Sequence, residues 1–155
     1  MYQLQKNAKA LTPQKIKKEL LNYLKKIDYI LFDLNIKQLE KGTTPKGGIL
    51  KNKNKKYSGF YTQTTELIAK QENPLAPKKE GQPYNFLYSG DFVKGFISYI
   101  KGESIEWLST GTGSGTKKEF FDGYKEFYGL DDESKRIVMN DYLKATYLTY
   151  VRIML

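Results

Sequence analysis

The stretch Gly111-Thr112-Gly113-Ser114-Gly115-Thr116-Lys117 has the composition of a phosphate loop. Such a loop needs Gly, four residues, then Gly-Lys-Ser/Thr, so that backbone N–H groups, the lysine and a hydroxyl converge on phosphate and metal. Here Thr116 separates Gly115 from Lys117, and Lys118 stands where the hydroxyl is required, so the stretch reads as a linker. Asp131-Asp132-Glu133 offers oxygen ligands for a hard cation, but the alternating ligands and glycine of an EF-hand are missing. At the start of a helix the same three acids complement the macrodipole without any metal. A Ser–Lys nucleophile is compatible with the composition, yet nothing in the sequence sets a particular serine beside a particular lysine. No pair of carboxylates declares itself for general acid–base work. The chain has no cysteine and no histidine. Thiolate chemistry, disulfides, cysteine zinc sites and the ordinary general base near pH 7 are therefore closed to it. The expectation is a protein that is not an enzyme and has no cofactor, no metal and no small-molecule substrate.

Charge is distributed unevenly. The net charge is +9, and residues 1–80 hold 17 lysines against 7 acids while residues 81–155 hold 9 basic residues against 10 acids. The densest part is Lys46, Lys51, Lys53, Lys55 and Lys56, with no acid between Lys41 and Glu66. These lysines are the candidate contact for an anionic partner, because such a cluster attracts over about a Debye length, ~10 Å. A solvated loop kept soluble by its charge is the favoured reading of them, and only Arg136 and Arg152, both outside this region, supply the better phosphate reader. Tyr57, Phe60 and Tyr61 follow the cluster directly. They could stack on unpaired bases, join an interface, or anchor the loop to a core.

The elements that would position these residues follow from periodicity and punctuation. Thr12-Pro13 is a helix start. Ile16, Leu20, Leu24, Ile27, Leu31 and Leu34 then recur at helical spacing up to Gly42. One helix over 13–41 would be ~43 Å long, as long as a domain of this size is wide. It is either kinked inside the core or partly exposed and completed by a partner. Tyr29, Phe32 and Ile36 widen its apolar face and, with Tyr57 and Tyr61, form the candidate subunit interface. A short helix is expected within 58–71. Phe86–Leu108 is the strand region, with a hairpin around 92–108 turning at Lys101-Gly102-Glu103-Ser104. Lys117–Tyr128 reads as a helix ended by Gly129, and Asp131 opens the final helix. Gly, Pro and Ser content marks mobile loops at about 42–57, 73–84 and 109–116. The whole is expected to be one α+β domain over residues 1–155, with a long N-terminal helix, a small antiparallel sheet and C-terminal helices. With 39% hydrophobic residues, and no apolar run near the ~20 residues of a membrane span, it reads as soluble, with no secretory signal at its start.

One ordering of short motifs resembles a known group. Asn35-Ile36-Lys37-Gln38-Leu39-Glu40-Lys41-Gly42 ends the long helix, Tyr57-Ser58 with Tyr61 follows, and Phe86-Leu87-Tyr88-Ser89-Gly90-Asp91-Phe92 comes after a Pro-rich loop. This order resembles small virion proteins of tailed bacteriophages, especially Bacteroides phages, of the tail-completion, neck and virion-morphogenesis type. The likeness covers roughly residues 30–130, and the Lys51–Lys56 and Gly111–Gly115 stretches depart from it. The resemblance implies a structural ring subunit at the head–tail junction, made in the bacterial host cytoplasm and carried in the virion. It implies self-association and contact with portal, neck or tail proteins, with DNA in the lumen. The competing expectation is a basic nucleic-acid-binding module that uses the 46–56 lysine cluster and its adjacent aromatics.

Overall fold

The computed structural model describes residues 12–51, 59–72, 74, 77–86, 90–111, 124 and 126–154. Helix and strand are combined, as the sequence implies. The long first helix is two helices, α1 (Pro13–Lys26) and α2 (Asp28–Glu40). Thr12 caps α1, its hydroxyl accepting the Lys15 N–H at 3.3 Å, and Pro13 sits in the first turn. The break falls at Ile27, which leaves helical geometry (φ −102, ψ 20) and buries its side chain. Lys25 and Lys26 close one helix dipole and Asp28 opens the next, a charge order that suits two helices better than one.

α2 is the spine of the core. Leu31, Asn35, Gln38 and Leu39 are buried along one stripe. The helix stops at Gly42, in the left-handed region at φ +67, where a Cβ would lie 2.2 Å from Pro83 Cβ. The described part of the first expected loop, 42–51, is tightly bonded. Thr43 and Ile49 form an antiparallel bridge, the Leu50 N–H donates to the Gly42 carbonyl at 2.7 Å, and Leu50 is wholly buried.

α3 (Gln63–Glu72) supplies the expected short helix and buries Ala69. The segment before it runs beside the Pro-rich stretch. Phe60 bridges Pro83, the Tyr61 N–H donates to the Gln82 carbonyl at 2.9 Å, and the Tyr84 N–H to the Gly59 carbonyl at 3.1 Å. The strand region opens on a helical turn, α4 (Asp91–Lys94), which corrects the hairpin expected around 92–108. β1 (Phe96–Lys101) and β2 (Ser104–Ser109) form the antiparallel pair, in register Phe96↔Ser109 to Lys101↔Ser104 around the expected turn. The displaced start has a local cause: the Gly90 and Asp91 carbonyls accept the Lys94 and Gly95 N–H groups at 2.9 Å, which closes a turn in place of strand pairing. Gly111 passes so close to α4 that a Cβ there would sit 1.7 Å from the Asp91 carbonyl oxygen.

The helix expected over Lys117–Tyr128 is not found in its described part. Tyr124 and residues 126–130 are irregular, while 117–123 and 125 lie outside the described residues. Side chains of α2 hold this segment instead. Asn35 Nδ2 donates to the carbonyls of Phe127 (2.9 Å) and Gly129 (2.8 Å), and Gln38 Oε1 accepts the Asp131 N–H at 2.9 Å. The C-terminal rod begins at Asp131, whose carboxylate caps the Ser134 N–H at 2.8 Å. It comprises α5 (Asp132–Ile137), a π-helical stretch (Val138–Leu143) and α6 (Lys144–Met154). Leu39, Leu50, Phe86, Phe92, Phe96, Tyr124 and Phe127 make the core, flanked by Phe32, Ile36, Tyr84, Val93 and Tyr128. Ring contacts such as Phe92–Phe96 at 5.2 Å and Phe86–Tyr124 at 4.8 Å show where much of the aromatic content is used.

Candidate functional site

The fold does place one serine beside one lysine. Lys25 lies in the last turn of α1, Asp28 in the first turn of α2, and Ser98 on the buried face of β1. Lys25 Nζ reaches Asp28 Oδ2 (2.8 Å), the Ser98 carbonyl (2.6 Å) and Ser98 Oγ (2.7 Å). Ser98 Oγ in turn donates to Asp28 Oδ2 at 2.9 Å. Burial pushes the Asp28 carboxyl upward, but hydrogen bonds from Lys25 and Ser98 and the lysine charge outweigh it and hold the group below its ordinary value. A nucleophilic serine needs a neutral amine to take its proton. Here the three ammonium hydrogens have three acceptors, and the serine proton is directed at a carboxylate. The triad is a brace that ties the α1–α2 break to the sheet.

A second buried cluster lies on the Pro-rich segment. Lys78 in that segment is only 4% exposed. Its ammonium donates to Asn85 Oδ1 at 2.8 Å and sits 5.4 Å from the centre of the Tyr61 ring. Burial lowers its pKa to about 8. Burial likewise raises the Tyr61 phenol to about 12; that hydroxyl donates to Asn85 Oδ1 (2.8 Å) and accepts the Asn85 N–H (3.1 Å). The sequence signal for this cluster is faint: three prolines that prevent helix and so hold 77–86 extended against 59–61.

The lysines singled out from the sequence are not gathered into one site. Lys46 pairs with Glu126 at 3.0 Å across the surface, Lys51 is exposed, and Lys53, Lys55 and Lys56 lie outside the described residues, as does Tyr57. The candidate interface residues divide. Tyr29 is 66% exposed, whereas Phe32 packs edge-on against Phe96 and Trp107, Ile36 packs against the core, and Tyr61 contacts Tyr84 at 4.9 Å. Of the phosphate-loop-like stretch, only Gly111 is described. Asp131 is spent as a helix cap and Asp132 pairs with Lys135 at 2.9 Å; among the described residues no three potential ligands converge on a metal position.

What remains open is the surface around α1. None of its residues is buried, although Ile16, Leu20, Leu21, Tyr23 and Leu24 are apolar and partly covered. A groove of about 150 Å³ runs between α1 and α6, walled by Ile16, Leu20, Tyr23, Lys26, Thr146 and Tyr147. A second, of about 340 Å³, lies between α1 and the hairpin tip, walled by Lys17, Lys18, Leu21, Asn22, Ile100 and Glu103. Tyr147, in the wall of the first groove, and Leu148 are exposed on α6. Among the described residues no helix is long and apolar enough to cross a membrane. No family model, no curated protein and no solved structure matches this chain.

Proposed function

We propose that the chain is a non-catalytic structural subunit that works by assembling with further copies of itself and with other proteins. The observation that carries this reading is α1: a fourteen-residue amphipathic helix of which no residue is buried. Amphipathic helices obtain most of their stability from packing of the apolar face, so an incompletely covered one is completed by contact. Tyr147 on α6 borders the same uncovered surface, Tyr29 (66% exposed) and Leu148 are further exposed apolar side chains, and tyrosine suits interfaces that are half apolar and half wet. The motif order that resembles tailed-phage neck and tail-completion proteins supports reading the subunit as part of a ring at the head–tail junction, between portal and tail proteins. Ring contacts are heterologous and close by rotation.

Light scattering coupled to gel filtration, over a rising concentration series, tests the assembly. Discrete oligomers that appear as rings under negative stain support it. A homogeneous monomer at the highest concentration, together with absence of the chain from purified virions by mass spectrometry, overturns it.

A further inference from the structure

Lys15, Lys18, Asn22 and Lys26 are spaced i, i+3, i+7 and i+11 along α1 and so fall on one line of the helix. The line is ~17 Å long at 1.5 Å per residue. All three lysines are exposed. Among the described residues none of the three has a carboxylate at ion-pair distance, whereas their neighbours Lys17 and Lys25 are paired with Glu103 and Asp28. Glu19, the sole acid of α1, lies at the edge of this line, four residues after Lys15 and in the wall of the α6 groove with Asn22 and Lys26, and pairs with none of the three lysines among the described residues.

The placement of these lysines works against the helix that bears them. The first turn of α1 contains no acid, and its N3 position, where a glutamate would complete a capping box with Thr12, holds Lys15. Lysine near a helix N-terminus opposes the macrodipole. A local rule broken without local gain marks a functional requirement.

We infer that this ridge is a contact surface for the phosphate backbone of a nucleic acid, bound without reading sequence. Three flexible ammonium groups act as point charges toward phosphates, and an asparagine amide adds a donor of the kind used on phosphate oxygens. Duplex DNA carries a charge every ~1.7 Å of axis, so a ridge of this length spans several phosphates in any register. A membrane surface fits less well, because Ile16 and Leu20 line the groove against α6 rather than flanking the lysines outward. A protein partner fits less well too, since the line carries no aromatic or arginine anchor. The surface is separate from the 46–56 cluster and does not depend on the assembly reading.

The test is fluorescence anisotropy with a labelled duplex of mixed sequence, about 30 base pairs long, titrated between about 50 and 200 mM salt. Three phosphate contacts give a slope of log affinity against log salt steepened by roughly 2.7. Substituting Lys15, Lys18 and Lys26 together by Gln should remove that increment and weaken binding at low salt about tenfold or more. The variant K46Q/K51Q should retain the increment. Circular dichroism checks that the fold is intact. Wild-type affinity and slope in the triple variant would overturn the inference. So would binding to anionic vesicles or polyglutamate as tight as to DNA, or no DNA binding by the wild-type chain at low salt.

Discussion

α1 and α2 are adjacent helices of 14 and 13 residues, one residue apart, and the fold uses them in opposite ways. α2 buries Leu31, Asn35, Gln38 and Leu39, and its two buried amides are clamped to the backbone of 127–131. α1 has no buried residue, and its polar ties are the Lys25–Asp28–Ser98 brace and the Lys17–Glu103 ion pair. The buried amides of α2 are internal fasteners, whereas Lys15, Lys18 and Lys26 of α1 stand outward. The same apolar repeat thus serves two ends, a core on one side of Ile27 and an open surface on the other.

Unequal substitutions test that contrast most forcefully. Asn35→Ala leaves the buried carbonyl of Phe127 and the half-buried carbonyl of Gly129 without their shared donor, at a cost of about 3 kcal/mol. Leu39→Ala, at a site with no exposure, should cost a similar ~3 kcal/mol. Leu20→Ala on α1, only partly covered, should cost about 1 kcal/mol. Urea midpoints at unchanged slope give the numbers. Equal losses in the two helices would abolish the contrast.

Lys78 sharpens it from the other side, as a lysine the fold has enclosed. It titrates at 10.5 when unfolded and at about 8 when folded. Between those values the unfolded chain holds more protons, so stability rises with pH. Tyr61 runs the other way: its ordinary 10.0 becomes about 12 on burial, so above 10 the unfolded chain sheds a proton that the folded one keeps, and stability falls. Stability should therefore crest in the alkaline range, with a rise on the order of 2 kcal/mol from Lys78. Lys78→Met should flatten the rise and leave the fall. A rise that survives the substitution would place the titrating group elsewhere.

The brace comes next in size. Asp28→Asn removes the charge that orients Lys25 and accepts from Ser98, and should cost about 1 kcal/mol. The Asp28 carboxyl is held below its ordinary 3.8, so its contribution is full above that value and is lost as pH falls through the lower, folded one. Hydrogen exchange should show α1 amides accelerating more than α2 amides, because α2 retains its core contacts. Uniform acceleration would mean that the two helices open as one unit.

Much of this division was readable in advance, and the failures share a cause. The cap at Thr12, the stop at Gly42, the turn at Gly102 and the start at Asp131 are local signals and lie where the residues put them. The break at Ile27 has no Pro or Gly to mark it, only the order Lys25-Lys26 then Asp28. The irregular 124–130 segment reads as a helix because Phe127 and Tyr128 suit one, but its carbonyls are claimed by Asn35, 92 residues earlier for the nearer contact. Lys78 reads as surface charge because nothing local announces Tyr61 and Asn85 around it. The Ser98 brace, joining residues 70 and 73 positions apart, is invisible for the same reason. Each omission is a contact between distant residues, which spacing along the chain does not encode.

The smallest effect bears most directly on why α1 differs from α2. If α1 were shaped for stability alone, its N3 residue would be Glu, returning a hydrogen bond to the Thr12 N–H and facing the positive end of the helix dipole. Lys15→Glu should therefore stabilise the fold by about 0.5 kcal/mol, visible as a small rise in the urea midpoint. The same substitution removes one cation from the exposed line and adds a negative charge, so it should weaken any DNA affinity while the protein becomes more stable. Stability and binding moving in opposite directions is the signature of a helix selected for its surface. Were Lys15→Glu to destabilise the fold, Lys15 would belong to the internal fasteners, and the difference between the two helices would be one of degree.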